Sequence, residues 1–464
     1  MGVQIDCLGA SGTVTGAKFL VHAEGRQVMV DCGLYQGLKE LRLRNWAPLP
    51  VDPARIDAVA LTHAHIDHTG HLPRLVKDGF AGRVQATRAT ADLLRVMLPD
   101  SGHLQEEEAA YHNARRTSRH TPALPLYTEE EGAAAAGIIA GVAYGAPLLT
   151  LPGMRLTFRR AGHILGSASI AVEAGYGRKG RRIVFSGDVG RYGAPILPDP
   201  APLGEADYVF VESTYGDRQH DHEPVADQLE RAIGAAIRRG GGIVVPAFAV
   251  GRTQELLHHL AFLEAAGRIP KLATYVDSPM AIEATAIYCD HPEDLEEEMR
   301  RQLVAGECLL HTADFHLART VEESKAINDR SGSVMIIAAS GMATGGRVLH
   351  HLRRRLSDPR TTVLLVGYQA AGTRGRLIQE GAHTVRIFGE DVPVRAHVET
   401  IHGLSAHADA DGLLRWLRTA SSPPRRVFVV HGDPQPAATL AARIRSELGW
   451  EAAVPEYRDR LVLD

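Results

Sequence analysis

The chain has 464 residues, of which 45% are hydrophobic and 23% charged, and its formal net charge is −4. This length exceeds what one hydrophobic core supports, so two or more domains are expected. The mild negative charge argues against a protein that coats nucleic acid with its whole surface, although a local basic groove stays compatible with it. Because Cys7, Cys32, Cys289 and Cys308 form no CxxC pair, the sequence predicts neither a disulfide framework nor a thiolate zinc site.

The N-terminal segment, residues 1–6, has no basic stretch followed by an apolar one, so no secretory signal is expected. No apolar run approaches the length of about 18 residues that a membrane span needs. We therefore expect a cytoplasmic protein without a membrane partner.

The predicted elements divide the chain into a β-rich first part and an alternating second part. The first part has strands at 3–8, 18–22, 27–31 and 57–61, a mostly helical stretch at 89–145, and strands at 155–159, 169–173, 182–186 and 208–212, with a hairpin connection at 175–180. The second part has helices at 225–239, 253–266 and 346–356 between strands at 242–246, 271–276, 333–338 and 362–367. This alternation predicts a parallel α/β sheet. The tail adds strands at 396–401 and 426–430 and helices at 410–419 and 436–448.

A dense group of metal-ligand residues follows the strand at 57–61. His63, His65, Asp67 and His68 fall within six residues. Histidines are rarely grouped for packing, because each neutral ring needs a hydrogen-bond partner and protonated rings repel each other. Imidazole and carboxylate ligands suit zinc, manganese or iron better than calcium. The group therefore predicts a transition-metal site.

Four further candidates each follow a predicted strand. They are Asp31, His163, Asp188 and His431. Loops at strand ends are where a sheet displays functional side chains, although a single Asp there more often caps a turn. Their occurrence together with the histidine group favours the functional interpretation.

The motifs of the chain resemble a known family at this point. His63-Ala64-His65-Ile66-Asp67-His68 is similar to the HxHxDH motif of metallo-β-lactamase-fold hydrolases. Residues 210–216, 403–409 and 430–432 look like motifs A, B and C of the β-CASP nucleases, which include RNA 3′-end cleavage endonucleases and their bacterial and archaeal counterparts. Residues 246–255, 340–342 and 372–376 are also similar to stretches of that family, so the resemblance runs nearly end to end.

The resemblance implies an α/β fold, an αββα metallo-β-lactamase sandwich with an inserted β-CASP domain built on a parallel α/β sheet. The expected domain ranges are 1–212 for the first part of the metallo-β-lactamase domain, 213–394 for the β-CASP domain, and 395–464 for the return to the first domain. Such a return explains how a histidine near the C-terminus can join ligands near residue 65.

The resemblance also implies a ligand set for two Zn²⁺ ions per chain, with manganese or iron as the alternatives. His63, His65 and His163 would hold one ion, Asp67, His68 and His431 the other, and Asp188 would bridge them. Two metals about 3.5–4 Å apart can stabilise the attacking and leaving oxygens of a phosphoryl displacement. Asp67 therefore counts among the catalytic residues, and Asp31 is expected behind the ligands, orienting a histidine or the loop.

Hydrolysis also needs a proton for the departing oxygen and positive charge for the substrate. We predict His407 as the acid, oriented by Glu212, and the alternative is a purely structural pair. Ser405 is a candidate donor to a phosphate oxygen, and Ser340 lies in a family-like stretch. Arg252, Arg374 and Arg376 are candidate phosphate contacts.

The sequence thus predicts a zinc-dependent ribonuclease that hydrolyses single-stranded RNA endonucleolytically, with 5′ exonucleolytic cleavage left open. The histidine at motif C favours RNA over DNA. Two alternatives remain, a small-substrate metallo-hydrolase of the thioesterase or lactonase type and a catalytically silent RNA-processing subunit. An iron oxidoreductase on the same fold is disfavoured by the histidine at position 65. The sequence leaves the RNA target and a homo-oligomer open.

Overall fold

The computed structural model describes residues 2–118, 120–177, 180–221, 223–305, 310–330, 332–370 and 372–464. Part of the predicted hairpin connection at 175–180, namely 178–179, lies outside the described residues, as does Cys308. Cys7 and Cys32 are buried and carry free thiols.

The strands are short and agree closely with the predicted ones in the first part of the chain. In chain order they are β1 (Val3–Cys7), β2 (Phe19–Ala23), β3 (Arg26–Val30), β4 (Ala58–Ala60), β5 (Arg83–Thr87), β6 (Ile139–Val142), β7 (Leu148–Leu151), β8 (Met154–Arg160), β9 (Ala168–Ala174), β10 (Arg181–Phe185), β11 (Tyr208–Val211), β12 (Ile243–Pro246), β13 (Ala273–Val276), β14 (Phe315–Leu317), β15 (Val334–Ala338), β16 (Thr362–Leu365), β17 (Thr384–Ile387), β18 (Glu390–Pro393), β19 (His397–Thr400), β20 (Arg426–Val429), β21 (Ala452–Ala453) and β22 (Arg460–Leu463).

The helices follow the same order. They are α1 (Lys39–Arg44), α2 (Ile66–Thr69), α3 (Leu72–Lys77), α4 (Arg88–Arg115), α5 (Glu129–Gly137), α6 (Val225–Arg239), α7 (Arg252–Ala265), α8 (Pro279–Asp290), α9 (Glu297–Val304), α10 (Val321–Ala326), α11 (Val348–Arg355), α12 (Arg374–Gln379), α13 (Ala410–Leu417) and α14 (Pro434–Arg443). Among the described residues, no helix combines the length and hydropathy that crossing a membrane would need.

The stretch 89–145, predicted as mostly helical, also contains a strand. α4 and α5 account for most of it, but β6 pairs in parallel with β5 at the end of a sheet. The sequence of β6, Ile-Ala-Gly-Val, is too short for a periodicity to distinguish strand from helix, so the pairing decides.

The chain divides into two compact units, residues 1–219 with 407–464 and residues 220–406. The first unit contains two seven-stranded sheets, ordered β22-β1-β2-β3-β4-β5-β6 and β21-β20-β11-β10-β9-β8-β7. Both sheets contribute to one apolar cluster, which includes Ile5, Val28, Phe185 and Phe210. Helices α13 and α14 cover the second sheet through a further cluster that contains Trp416. The unit is therefore a sandwich of two sheets with helices outside.

The second unit is built on a six-stranded sheet, ordered β14-β13-β15-β12-β16-β19. Every pairing in it is parallel, as the alternation of strands and helices predicts. β19 pairs with β16, and this pairing keeps residues 397–400 in the second unit. The contacts change units at 219 and 406, whereas the domain boundaries after 212 and 394 stay a prediction from the sequence.

Candidate metal centre

The residues of the metal-ligand prediction come together in the first unit because successive strands end at the same edge. β3 and β4 are parallel and end just before Asp31 and the His63 loop. β10, β11 and β20 are parallel in the second sheet and end before Asp188, Glu212 and His431. Parallel strands present their carboxyl ends together, so residues distant in sequence become neighbours.

Among the residues that the structure describes, three groups of side chains present ligand atoms that lie within 4.8 Å of one another; one joins Glu212 to Asp188 and His431, and the other two contain the predicted metal ligands. Of these two ligand sets, the first contains His63, His65, His163 and Asp188, and the second contains Asp67, His68 and His431. These are the seven residues that the sequence analysis assigns to metal binding. Asp188 is 2% exposed and faces both sets, because its Oδ2 is 3.4 Å from His63 Nε2 and its Oδ1 is 3.3 Å from His68 Nε2.

The spacing of the nitrogens fits metal coordination. His65 Nδ1 is 3.1 Å from both His63 Nε2 and His163 Nε2, and His68 Nε2 is 3.0 Å from His431 Nε2. A tetrahedral zinc ion with Zn–N bonds of about 2.0–2.1 Å places its ligand atoms about 3.3 Å apart. Within the described part of the chain, the buried Asp188 Oδ1 accepts no hydrogen bond. The residues present therefore fit a metal ion at each set.

The electrostatics of the first set favour neutral rings. Burial lowers the pKa of His65 to about 4 and holds the pKa of His63 well below its usual value. Asp188 is also buried, which raises its pKa, but His431 and His68 outweigh burial and hold that pKa well below the usual carboxyl value. Neutral imidazole and ionised carboxylate are the forms that bind metal.

His68 differs because carboxylates face both of its nitrogens. Burial lowers its pKa, but Asp188 and Asp31 raise it well above the usual value. Its Nδ1 is 2.7 Å from Asp31 Oδ2, and its Nε2 faces Asp188. A metal ion that binds this ring must displace a proton from it, so lower pH should weaken the affinity of the second ligand set for metal.

Asp31 lies behind the ligands, where the sequence analysis expects it. Its Oδ1 accepts the Thr62 backbone N–H at 2.7 Å, and its Oδ2 accepts the Thr62 hydroxyl at 2.9 Å. Asp31 and His431 both adopt left-handed backbone, with φ of 60° and 47°. Such backbone is costly away from glycine and persists where the surrounding structure enforces it.

Sequence analysis missed two threonines that orient ligands. Thr62 Oγ1 is 3.0 Å from His63 Nδ1, and Thr214 Oγ1 is 3.2 Å from His431 Nδ1. A partner on the second ring nitrogen fixes the tautomer and orientation of a metal-binding histidine. Thr62 directly precedes the histidine group and Thr214 lies two positions after Glu212, so adjacency is the signal that could have found them.

His407 and Glu212 form a pair beside the two ligand sets. His407 Nδ1 is 3.1 Å from each oxygen of Glu212, which is fully buried. Glu212 also accepts the backbone N–H groups of Val189 and Thr214. Burial lowers the pKa of His407, but the carboxylates of Glu212 and Asp188 outweigh burial and raise this pKa above its usual value, to about 9. The two carboxylates therefore favour the protonated form of this imidazole.

The predicted substrate-binding residues lie in the second unit, and most are engaged there. Arg252 is buried and pairs with Glu255 at 3.3 Å, while Arg376 pairs with Glu380 at 2.6 Å on the surface. Arg374 donates to the backbone carbonyls of Arg386, Ala343 and Thr344. The Ser340 hydroxyl accepts the N–H of Thr344 within its own loop, and Ser405 is buried. Their roles toward substrate stay predictions.

Family models match most of the chain. A Beta-lactamase superfamily domain matches residues 26–247, a Beta-Casp domain matches 253–378, and a Zn-dependent metallo-hydrolase RNA specificity domain matches 391–455.

Individual proteins match over nearly the whole length. Ribonuclease TTHA0252 of Thermus thermophilus is 39% identical over 457 residues, covering 98% of this chain and 99% of that protein. Transcription termination factor FttA of Methanosarcina mazei is 33% identical over 470 residues, covering 97% of this chain and 70% of that protein. A crystal structure of a protein of unknown function from Enterococcus faecalis V583 covers both chains fully with a TM-score of 0.51 and 11% identity, which shows the fold alone. The chain therefore belongs to the β-CASP family of metallo-β-lactamase-fold, metal-dependent ribonucleases.

Proposed function

We propose that this protein is a zinc-dependent ribonuclease that cuts phosphodiester bonds of single-stranded RNA endonucleolytically and holds two zinc ions per chain. The observation that carries the proposal is the pair of ligand sets with Asp188 facing both, and the His407–Glu212 pair beside them. The fit of both ligand sets to zinc and the match to a Zn-dependent RNA specificity domain support it.

His63, His65 and His163 would hold one ion, Asp67, His68 and His431 would hold the other, and Asp188 would contact both. When bound, zinc supplies Lewis-acid chemistry that makes water acidic enough to attack near neutral pH and neutralises charge on a phosphoryl oxygen. Thr62, Asp31 and Thr214 orient the rings from behind, so the ligand atoms are positioned before substrate arrives.

His407 would provide the proton for the leaving oxygen. Glu212 holds its Nδ1, which leaves Nε2 as the nitrogen that transfers the proton to the departing ribose oxygen. An alkoxide is a poor leaving group, and general acid catalysis typically contributes about 10²–10⁴-fold to such a step. This pair favours phosphodiester cleavage over the hydrolysis of a thioester, whose thiolate is a good leaving group and departs without such an acid.

The test combines metal analysis with cleavage of end-labelled RNA. The purified protein should contain about two zinc ions per chain, as the two-metal arrangement requires. It should cut single-stranded RNA at internal positions and leave matched DNA intact, and chelation should abolish cutting until zinc is restored. His431→Ala should lose one zinc ion and nearly all cleavage, whereas His103→Ala, which removes an exposed histidine of α4, should change neither.

Three results would contradict the proposal. Hydrolysis of a thioester or lactone without RNA cleavage would indicate a small-substrate hydrolase. RNA binding by zinc-loaded protein without cleavage would indicate a silent subunit. Full activity of metal-free protein would remove the role of the ligand sets.

A further inference from the structure

A cluster of cations and aromatic rings, four of them exposed and two, Arg44 and Tyr457, half-buried, lies at the same edge of the first sheet as the metal ligands. β22 is antiparallel to β1, so it begins at Arg460 where β1 ends at Cys7. β1 also runs in the same direction as β3, because both are antiparallel to β2. The loop before β22 therefore lies at the edge of the sheet where β1, β3 and β4 end. The loops that carry Asp31 and the His63 group follow β3 and β4 at this same edge.

Arg44 is the centre of this cluster, which we call the Arg44 platform. It comprises Lys39, Arg42, Arg44, Trp46, Tyr457 and Arg458. The Arg44 guanidinium carbon is 4.4 Å from the Tyr457 ring centroid and 5.4 Å from that of the buried Tyr35. Trp46 is 49% exposed, and the nearby Leu38 and Leu43 are exposed as well. The surface thus interleaves guanidinium and aromatic planes.

The charges of the platform are not neutralised by ion pairs. Among the described residues, no carboxylate forms an ion pair with Lys39, Arg42, Arg44 or Arg458, while Arg460 next to them pairs with Asp6. Residues 38–46 contain three cations and one carboxylate, Glu40, and residues 456–460 contain two cations and two carboxylates, Glu456 and Asp459. The two segments together keep a small positive excess in a chain whose net charge is −4. A local excess of this kind attracts a polyanion.

The platform is also fixed relative to the metal ligands. Asn45 is buried, and its side chain donates to the Tyr35 carbonyl and accepts the Tyr35 N–H, both at 2.8 Å. Leu34, the residue before Tyr35, donates its N–H to the carbonyl of Ile66 at the start of α2, the helix that carries Asp67 and His68. The segment thus has a defined position next to the site rather than that of a free loop.

We propose that the Arg44 platform binds the part of the RNA strand that flanks the scissile phosphate. Lys39, Arg42 and Arg458 contact phosphates, and the Arg44 and Trp46 planes stack with bases. Cations interleaved with aromatic rings are the combination that binds single strands without strong sequence preference. This inference rests on the proposed ribonuclease function and extends it to the first unit, whereas the predicted arginine contacts all lie in the second.

The test compares Arg42→Glu/Arg458→Glu and Trp46→Ala with a matched control at the opposite edge of the same sheet. The control is Arg55→Glu/Arg83→Glu, because these exposed arginines lie where β4 and β5 begin. Dissociation constants for a fluorescein-labelled single-stranded RNA are measured by anisotropy at several salt concentrations, in zinc-loaded protein that also carries His407→Gln to slow cleavage. Cleavage by each variant without that change gives kcat/KM.

The charge reversal should raise Kd about tenfold or more and lessen the slope of log Kd against log salt by about 1.4, the value for two phosphate contacts on a single strand. Trp46→Ala should weaken binding without changing the salt slope, since stacking releases no counterions. The control variant should have the same Kd and the same salt slope as the unmodified protein. If the charge-reversal variant still cuts RNA and its Kd and salt slope are unchanged, the Arg44 platform does not bind RNA, and the proposed function stays intact. Failure of the unmodified protein to bind or cut RNA would overturn the proposed function itself.

Discussion

His407 differs from the other histidines of the site in what its ring contacts. Glu212, which is held by two backbone N–H groups, accepts from the Nδ1 of His407, and His407 belongs to neither ligand set. The ligand His68 also faces a carboxylate, Asp31, through Nδ1, but its Nε2 faces the Nε2 of His431. A fixed hydrogen-bond partner orients a general acid, while mutual facing of nitrogens indicates a shared ion. His407 thus lies outside both ligand sets and has a fixed hydrogen-bond partner, which supports the predicted acid role.

His407→Gln should retain both zinc ions and slow RNA cleavage by about 10²–10⁴-fold, the usual contribution of an acid. A phosphodiester with a p-nitrophenyl leaving group needs no proton, so its hydrolysis should fall far less. Zinc analysis and the two rates check this together. Loss of a zinc ion would instead make His407 a ligand, and an equal loss for both substrates would remove the acid role.

Lys18 is a fully buried lysine next to the site. Its ammonium donates to the Gly33 carbonyl and lies 4.8 Å from the Tyr35 ring centroid. Burial lowers its pKa from 10.5 to about 8. The unfolded chain keeps this proton up to about pH 10.5, so between pH 8 and 10.5 the unfolded state binds more protons and the stability contributed by Lys18 rises with pH.

The free energy of unfolding of the unmodified protein, relative to Lys18→Met, should therefore rise by about 3 kcal/mol between pH 8 and 10.5 and stay constant below pH 8. Urea unfolding of both proteins across this range measures the difference. Lys271→Met removes an exposed lysine and should show no such dependence. A flat difference for Lys18→Met would show that the buried group does not titrate in this range.

At the scale of elements, the short helix α2 depends on close contact with the loop after β3. Gly33 allows this contact, because a Cβ at that position would lie 1.6 Å from the Asp67 carbonyl oxygen. Cys32 N–H also donates to the His68 carbonyl, and Ala17 N–H donates to the Asp67 carbonyl. A helix of four residues has little stability of its own, so these contacts decide where its two ligands lie.

Gly33→Ala should displace α2 and weaken zinc affinity by about 10–100-fold, the range typical of disturbed support around a metal site. Competition with a chromogenic chelator measures this affinity. Gly137→Ala, where an added Cβ meets nothing within 4 Å, is the matched control. Unchanged zinc affinity in Gly33→Ala would show that the loop tolerates the shift and does not position the ligands.

At the scale of the whole molecule, all seven proposed ligands belong to the first unit, although they span residues 63 to 431. Metal binding stabilises only the part of the protein that holds the metal. Chelation should therefore increase hydrogen exchange in β4, β10 and β20 and leave exchange in β12, β13 and β15 nearly unchanged. Mass spectrometry of peptides from the two units measures this, and an equal increase in both would show that the units unfold together.

The sequence by itself determined the kind of site. The spacing of His63, His65, Asp67 and His68 is local, and it predicts a transition metal wherever the loop lies. Most strands of the first part were also predictable, because apolar residues between Gly-rich turns have few alternatives, whereas β5, β6 and β7 were not predicted. The strand ends made His163, Asp188 and His431 candidates, and the alternation of strands and helices predicted the parallel sheet. The family resemblance supplied the division of the ligands between two ions and the insertion of that sheet into the first domain.

Only the tertiary structure decided which distant residues meet and what each contacts. Asp188 faces both sets and His431 reaches His68 because β10, β11 and β20 are parallel neighbours, and no local pattern encodes that strand order. The sequence also predicted Arg374 as a phosphate contact, whereas in the structure its guanidinium donates to backbone carbonyls. The orienting roles of Thr62 and Thr214 and the position of Arg44 between two tyrosines depend on contacts across the fold. Local propensity decides whether a segment forms a helix or a strand. Long-range strand pairing decides which side chains lie next to one another, and catalysis depends on that arrangement of side chains.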